Sequence, residues 1–171
     1  GGLQPNTAYE YYVRAVCSET EKSDWRGPIS FRTDCVVYPS PFIETFEPAS
    51  DTKSCWRVID GNLNGDTWQL NTTVNPIFDE MMAGMFTGNN GNNDDWLISP
   101  TITVQPNQRL RFYYKTYSEY FEEDLKVKIS SNGTDITQFN TIIYENNKVI
   151  PTDATGTIAG VNTITMTNTD G

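Results

Sequence analysis

The sequence predicts an all-β fold, a β-sandwich, and three observations support this. Apolar and polar residues alternate over several segments of five to nine residues, which is the period of a strand with one buried face. A helical period of 3.6 residues is hard to find. Clusters of Asn, Asp, Gly and Ser, which favour turns, separate the alternating segments. Two packed sheets are the natural way to bury such faces.

Four segments carry the clearest alternation. They are YEYYVRAVC, ISFRT, RLRFYYKTY and DLKVKIS, at residues 9–17, 29–33, 109–117 and 124–130. In the third, for example, Leu110, Phe112 and Tyr114 face one way, and the basic residues face the other. Each segment is therefore predicted to be an antiparallel strand with one face on the core and one in water.

A change of composition at TDCVVYPSPF, residues 33–42, divides the chain. Pro39 and Pro41 cannot donate main-chain hydrogen bonds to a sheet, which favours a connector between domains. We therefore predict a first unit at residues 1–34, a linker at 35–41 and a larger domain at 42–171. The first unit is too short to enclose a core by itself.

The charge and the missing histidine exclude several classes of function. Asp and Glu number 22 against 12 Lys and Arg, a net charge of −10, which repels phosphate backbones and excludes nucleic acid as a partner. Because there is no histidine, Ser-His-Asp triads, Cys-His pairs and His-ligated zinc are excluded. No apolar run reaches about 18 residues, so no membrane insertion is predicted.

The chain contains three cysteines, Cys17, Cys35 and Cys55, and no CxxC motif. Cys35 and Cys55 flank the connector, and a disulfide between them would bridge it and leave Cys17 alone. The alternative, that all three thiols are reduced, stays open.

The first 34 residues resemble the last third of a fibronectin type III domain. The stretch LQPNTAYEYYVRA, followed by PISFRT, has the pattern L-x-P-x-T-x-Y at Leu3, Pro5, Thr7 and Tyr9. The resemblance implies that the Tyr9 hydroxyl bonds back to nearby main chain, as a tyrosine corner.

The larger part resembles the cleaved-adhesin or choice-of-anchor J domains of Bacteroidota surface proteins, which are similar to gingipain adhesin domains and, more distantly, to MAM domains. The motifs PFIETFE, CWRVIDGNLNGDTW, NNDDWLISPTI and LRFYYKTYSEYFEEDLKVKISSNGTDITQF carry the resemblance, in that order. It implies a jelly-roll β-sandwich, often with structural calcium, in secreted or cell-surface multidomain proteins. The sequence after Tyr144 departs from the family pattern, so we expect either that the last strands are missing or that the tail diverges from the family.

The stretch DGNLNGD is the first candidate metal site. Asp60, Asn62, Asn64 and Asp66 place oxygen ligands at alternate positions, as at the start of a calcium loop. It is not an EF-hand, because the twelfth position is Asn71 and no helices flank it. The alternative is a polar turn between two strands.

A second acidic stretch contains Asp94 and Asp95 immediately before Trp96. Together with Glu47 of the TFE motif, these carboxylates could bind calcium at the rim of the sandwich, where a strand begins. The alternative is that Asp94 caps a turn and Asp95 lies in solvent.

The remaining candidates are acidic and aromatic. Glu122–Asp124 could supply a catalytic carboxylate pair, but adjacent acids in a loop more often form a solvated edge. Exposed aromatic rings could stack on sugars. Trp56, Trp68 and Trp96 are predicted to be core, and Tyr117 and Tyr120 are the candidate ligand-binding residues.

Together these features favour a non-catalytic, extracellular, calcium-stabilised adhesion module of a larger protein. Its partners would be a host or matrix protein, a glycan, or neighbouring domains of the same chain. The alternatives are an ancillary carbohydrate-binding domain of a secreted protease or glycosidase, and a passive spacer in a surface stalk.

Overall fold

The computed structural model describes residues 2–74, 76–86, 93–116, 123–149 and 162–167, and it confirms the all-β prediction. Within these residues there are two short 3-10 turns, Lys53–Cys55 and Ile136–Gln138. The strands are β1 Ala8–Val13, β2 Arg26–Arg32, β3 Tyr38–Pro39, β4 Arg57–Asp60, β5 Trp68–Thr72, β6 Met82–Met85, β7 Asp95–Ile98, β8 Ile102–Thr103, β9 Arg109–Tyr114, β10 Glu123–Ile129, β11 Thr141–Val149 and β12 Asn162–Thr167. No helix in the described part of the chain is long and apolar enough to cross a membrane.

The chain forms two compact units, Gly1–Val36 and Val37–Gly171. The division falls inside the predicted connector. Tyr38 and Pro39 nevertheless form β3, which pairs in parallel with β8. Proline is tolerated there because an edge strand needs few main-chain donors.

The first unit is the antiparallel pair β1–β2. Tyr9 lies opposite Phe31 and Tyr11 opposite Ile29, and the rings of Tyr9 and Phe31 stack with their centroids 5.9 Å apart. The main-chain N–H of Gln4 donates to the Tyr9 hydroxyl at 2.8 Å, which is the contact that the sequence led us to expect.

The strand predicted at residues 9–17 is shorter in the structure. The β1–β2 register shifts between Tyr11 and Val13. Beyond this shift, the N–H of Ala15 donates to the Ser23 hydroxyl instead of a main-chain carbonyl. The Ser23 side chain thus accepts a hydrogen bond that a main-chain carbonyl would accept in a regular sheet, so regular pairing stops at Val13.

The described residues of the second unit form five two-stranded pairs. β4–β7, β5–β6, β10–β11 and β9–β12 are antiparallel, and β3–β8 is parallel. Among the described residues, the buried apolar side chains are Cys55, Ile98 and Val149. Ile98 ends β7, so the strand that carries Asp95 at one end is anchored in the core at the other.

The prediction that Trp56, Trp68 and Trp96 are core residues is wrong in detail, because all three are only half-buried. Each indole N–H donates to an acceptor at a polar edge: the Glu44 carboxylate at 3.1 Å, the Asp95 carbonyl at 3.2 Å and the Asp94 carboxylate at 2.9 Å, respectively. Each indole N–H thus bonds at a polar edge, which is where these rings are partly exposed.

Glu44 organises one of these edges. One carboxylate oxygen accepts from the N–H of Phe46 at 2.6 Å. The other accepts from the Thr52 hydroxyl at 2.8 Å and from the Trp56 indole at 3.1 Å. This half-buried side chain thereby joins residues 44–46 to the start of β4.

We expect Glu44→Ala to lower the free energy of unfolding by about 1–2 kcal/mol, because three donors lose their acceptor. Glu44→Gln should cost less than half as much, since an amide oxygen still accepts. Urea unfolding of both variants measures the difference. Equal losses in the two variants would mean that the hydrogen bonds are not what stabilises this edge.

Candidate metal site

The antiparallel register of β4 and β7 places two carboxylates side by side. Asp60, the last residue of β4, lies directly opposite Asp95, the first residue of β7. Like charges at opposed positions of an antiparallel pair destabilise the pair. The two acidic stretches singled out in the sequence therefore meet at one end of the β4–β7 pair.

The loop that follows β4 is held by its own side chains. The Asp60 carboxylate accepts from the N–H groups of Asn64 at 3.2 Å and Gly65 at 2.8 Å. The Asn64 amide oxygen accepts from the N–H of Asp66 at 2.8 Å. Gly65 has a φ of +90°, a conformation that few other residues adopt without strain. Residues 60–66 therefore form a tight loop with its oxygens turned inward.

Asp94 closes the other side of the site. The N–H of Gly61 donates to the Asp94 carbonyl at 2.8 Å. A Cβ at position 61 would collide with that carbonyl oxygen and would lie 2.8 Å from an Asp94 carboxylate oxygen. Only glycine permits this close approach, so the sequence Asp60-Gly61 is required for the 60–66 loop to pack against residues 94–95.

Asp95 is the unusual residue of the cluster. Both of its carboxylate oxygens are shielded from solvent and have no hydrogen-bond partner. Burial raises the pKa of Asp95, and the negative charges of Asp60, Asp66 and Asp94 raise it further. A shielded carboxylate without donors, surrounded by three acids, is unfavourable unless a cation or a proton neutralises it.

This orphaned carboxylate fits a hard cation, for which oxygen ligands are preferred. In the described residues, however, no three Asp, Glu or Cys side chains converge closely enough to hold a metal by themselves. The reason is visible at Asp60, whose two oxygens face main-chain N–H groups of its own loop. A complete ligand set would need amide and main-chain oxygens in addition.

The structure does not bring Glu47 into the cluster. One oxygen of its carboxylate accepts from the N–H groups of Glu80 and Met81, both at 3.2 Å. Glu47 is also not among the acids that raise the pKa of Asp95. These contacts tie Glu47 to a different loop, and its grouping with Asp94 and Asp95 stays a prediction that no contact among the described residues supports.

The other predicted residues are distributed as follows. Tyr117, Tyr120 and Glu122 lie outside the described residues. Glu123 and Asp124 are exposed. Cys35 and Cys55, the predicted pair, are disulfide-bonded, and Cys17 is a free, exposed thiol.

Sequence reasoning missed Leu63, at the tip of the 60–66 loop. Its side chain is 86% exposed, and its φ is +57°. A non-glycine residue in the left-handed region is strained, and a fully exposed leucine gains nothing from burial. The available signal was an apolar residue inside the polar run DGNLNGD.

Comparisons with known proteins bear on this unit. No curated protein and no solved structure gave a significant match. A protein-family model described as the cleaved adhesin domain matches residues 41–167. The match extends past Tyr144 and includes β12, so the predicted departure of the tail does not end the similarity. The chain belongs to the cleaved adhesin domain family.

Proposed function

We propose that this chain is an extracellular adhesion module of a larger bacterial protein, stabilised by calcium bound at the end of β4–β7. The observation that carries the proposal is the shielded, unsatisfied carboxylate of Asp95 beside Asp60, Asp66 and Asp94, within a cleaved adhesin domain. Host or matrix proteins are the proposed partners.

Calcium is the cation that suits these residues best. It takes six to eight oxygen ligands in flexible geometry, including carboxylates, amide oxygens and main-chain carbonyls. Asp60, Asp66, Asp94 and Asp95 would supply charge, and Asn62 and Asn64 would supply amide oxygens. The described ligand types are all hard oxygens, which disfavours copper and zinc.

A catalytic role for Asp95 is less well supported. A raised pKa is common in catalytic acids, but it also arises in structural acid clusters. Both carboxylate oxygens of Asp95 are shielded from solvent, so a substrate-sized molecule could reach them only if the β4–β7 pair opened, whereas a single ion needs only a small movement of the 60–66 loop. We therefore infer that the cluster binds a cation and does not transfer protons to a substrate.

Leu63 is the proposed contact residue for the partner. It projects from a loop that internal hydrogen bonds hold in place. The loop therefore loses little conformational entropy when a partner binds. An apolar side chain flanked by Asp60 and Asp66 complements an apolar pocket with a basic rim. A passive spacer would have no need for an exposed, strained leucine.

The variant Leu63→Asn separates adhesion from stability. Asparagine tolerates a positive φ, so we expect the free energy of unfolding to stay equal or to rise by up to about 1 kcal/mol. Wild type and variant are tested in a solid-phase binding assay against fibronectin, laminin, fibrinogen and collagen. For whichever of these proteins the wild type binds, the affinity of the variant should be about tenfold lower. Each measurement is made in calcium and in EDTA.

Ile43→Asn is the matched control, because Ile43 is 79% exposed and lies elsewhere in the same unit. It should leave binding unchanged. If the wild-type chain in calcium binds none of the four proteins, the adhesion proposal fails for matrix proteins and the spacer alternative gains support. If Leu63→Asn binds as well as wild type, Leu63 is not the contact.

A further inference from the structure

The first unit has an aromatic surface, separate from the residues of the second unit on which the adhesion proposal rests. Tyr9, Tyr11, Ile29 and Phe31 share one face of β1–β2, as their register shows. Tyr12 lies where the β1–β2 register shifts, between Tyr11 and Val13, and its side chain is exposed.

The rings of Tyr12 and Trp25 line an open cleft of about 380 Å³. Tyr12 is 51% and Trp25 is 58% exposed. The guanidinium carbon of Arg14 lies 4.6 Å from the centre of the Trp25 ring. A Cβ on Gly27 would lie 2.7 Å from Tyr12 Cδ1, so the glycine is what allows the Tyr12 ring to lie across β2.

A cationic group that has no acidic partner in the described part of the chain stacks on one of the two rings that line the cleft. Among the described residues, no hydrogen bond or ion pair involves the Arg14 guanidinium, whose contact is the Trp25 ring face. Residues 1–36 contain four Lys and Arg against five Asp and Glu, whereas the whole chain has a net charge of −10. The acidity of the protein therefore resides almost entirely in the second unit, and the first can accept an anion.

We propose that the cleft lined by Tyr12 and Trp25, together with the Arg14 guanidinium stacked on Trp25, binds an acidic sugar, a pyranose that carries a carboxylate. The apolar C–H face of the sugar ring would cover the aromatic rings while its hydroxyls stay in water. The Arg14 guanidinium, stacked on Trp25, would donate two parallel hydrogen bonds to the carboxylate.

A sugar fits this cleft better than an acidic peptide does. The cleft is lined by the aromatic side chains of Tyr12 and Trp25, and its lining is almost entirely apolar. A peptide that covered them would bury main-chain N–H and C=O groups without partners, which is costly. A pyranose has its polar groups around its edge and can cover the rings without burying them.

The test uses the full 171-residue chain and two oligosaccharides of equal length. One is a hyaluronan hexasaccharide, which alternates glucuronic acid with N-acetylglucosamine, and the other is neutral chitohexaose. Calorimetry and tryptophan fluorescence measure binding. We expect hyaluronan to bind about tenfold more tightly than chitohexaose, as one charge-assisted contact implies. Trp25→Ala should weaken both ligands about tenfold.

Arg14→Gln gives the sharpest result. Arg14 is exposed, so the variant should fold, and it should lose the preference for hyaluronan while chitohexaose binding changes little. Arg111→Gln is the matched control: Arg111 lies 5.0 Å from the Tyr113 ring centre, so the charge change and the kind of contact are the same. This control should keep the preference.

Three results would overturn the proposal: no hyaluronan binding, equal binding by Arg14→Gln, or equally tight binding of a glutamate hexapeptide, which would indicate an acidic peptide as ligand. The cleft lies outside residues 41–167, so hyaluronan binding should persist in EDTA. Failure of this proposal is therefore distinguishable from failure of the calcium-dependent adhesion proposal.

Discussion

Calcium at 1 mM is expected to raise the free energy of unfolding of the second unit by about 2–3 kcal/mol, if the dissociation constant is about 10 μM. For a chain of this size, that corresponds to a rise in Tm of about 5–10 °C. The physical reason is that calcium neutralises Asp95 and its three acidic neighbours, which otherwise raise the pKa of Asp95. Thermal unfolding in EDTA, in magnesium and in a calcium titration measures the effect.

Asp95→Asn should reverse the order of stabilities. Without calcium, the variant should be more stable than wild type by about 0.5–1 kcal/mol, because it removes a like-charge pair opposite Asp60. With calcium, it should be less stable than wild type, because its response to the ion is weakened or lost. This crossing is specific to a cation site, since an ordinary structural carboxylate would be destabilised by substitution in both conditions.

Asp51→Asn is the matched control, because Asp51 is an exposed acid elsewhere in the same unit. It should respond to calcium as wild type does. A wild-type Tm that is the same in EDTA and in 5 mM calcium would contradict the proposed site. A rise in Tm that survives in Asp95→Asn would place the ion elsewhere in the chain.

The strands and the acidic stretches were predictable because both are local signals. Alternation in RLRFYYKTY and DLKVKIS corresponds to β9 and β10, and turn residues marked the loop after Asp60. The partner of each strand was not predictable in this way. Pairing is set by the packing of the whole unit, so the position of Asp60 opposite Asp95 was visible only in the structure.

The residues whose surroundings the sequence did not predict share a physical cause. Glu47 and Asp95 are both acids near aromatic residues in the sequence, but one finds two main-chain donors and the other finds none. The tryptophans were assigned to the core because they are large and apolar, yet each indole N–H required an acceptor at the edge. Hydrogen-bond partners of this kind are non-local, and a sequence pattern does not encode them.

Gly61→Ala is expected to lower the free energy of unfolding by about 2–3 kcal/mol, because the new methyl group meets the Asp94 main chain and carboxylate. The nearest obstacle is the Asp94 main-chain carbonyl oxygen, which cannot rotate away as a side chain can, so the β4–β7 pair must separate at its acidic end. That separation moves Asp94 and Asp95 away from Asp60. The variant should therefore also lose most of the stabilisation by calcium.

Two other glycines provide the comparison that isolates this close approach. Gly65 and Gly133 both have positive φ, +90° and +117°, and a Cβ on either would meet open space. Alanine at Gly133 should cost about 1 kcal/mol through backbone strain and leave the calcium response intact. Alanine at Gly65 should cost a similar amount and weaken the response only partly, since Gly65 lies in the ligand loop without touching residue 94.

If Gly61→Ala behaves like Gly133→Ala in both stability and calcium response, contact between the 60–66 loop and Asp94 is not what assembles the site. In that case the carboxylate of Asp95 would have to be neutralised without the loop.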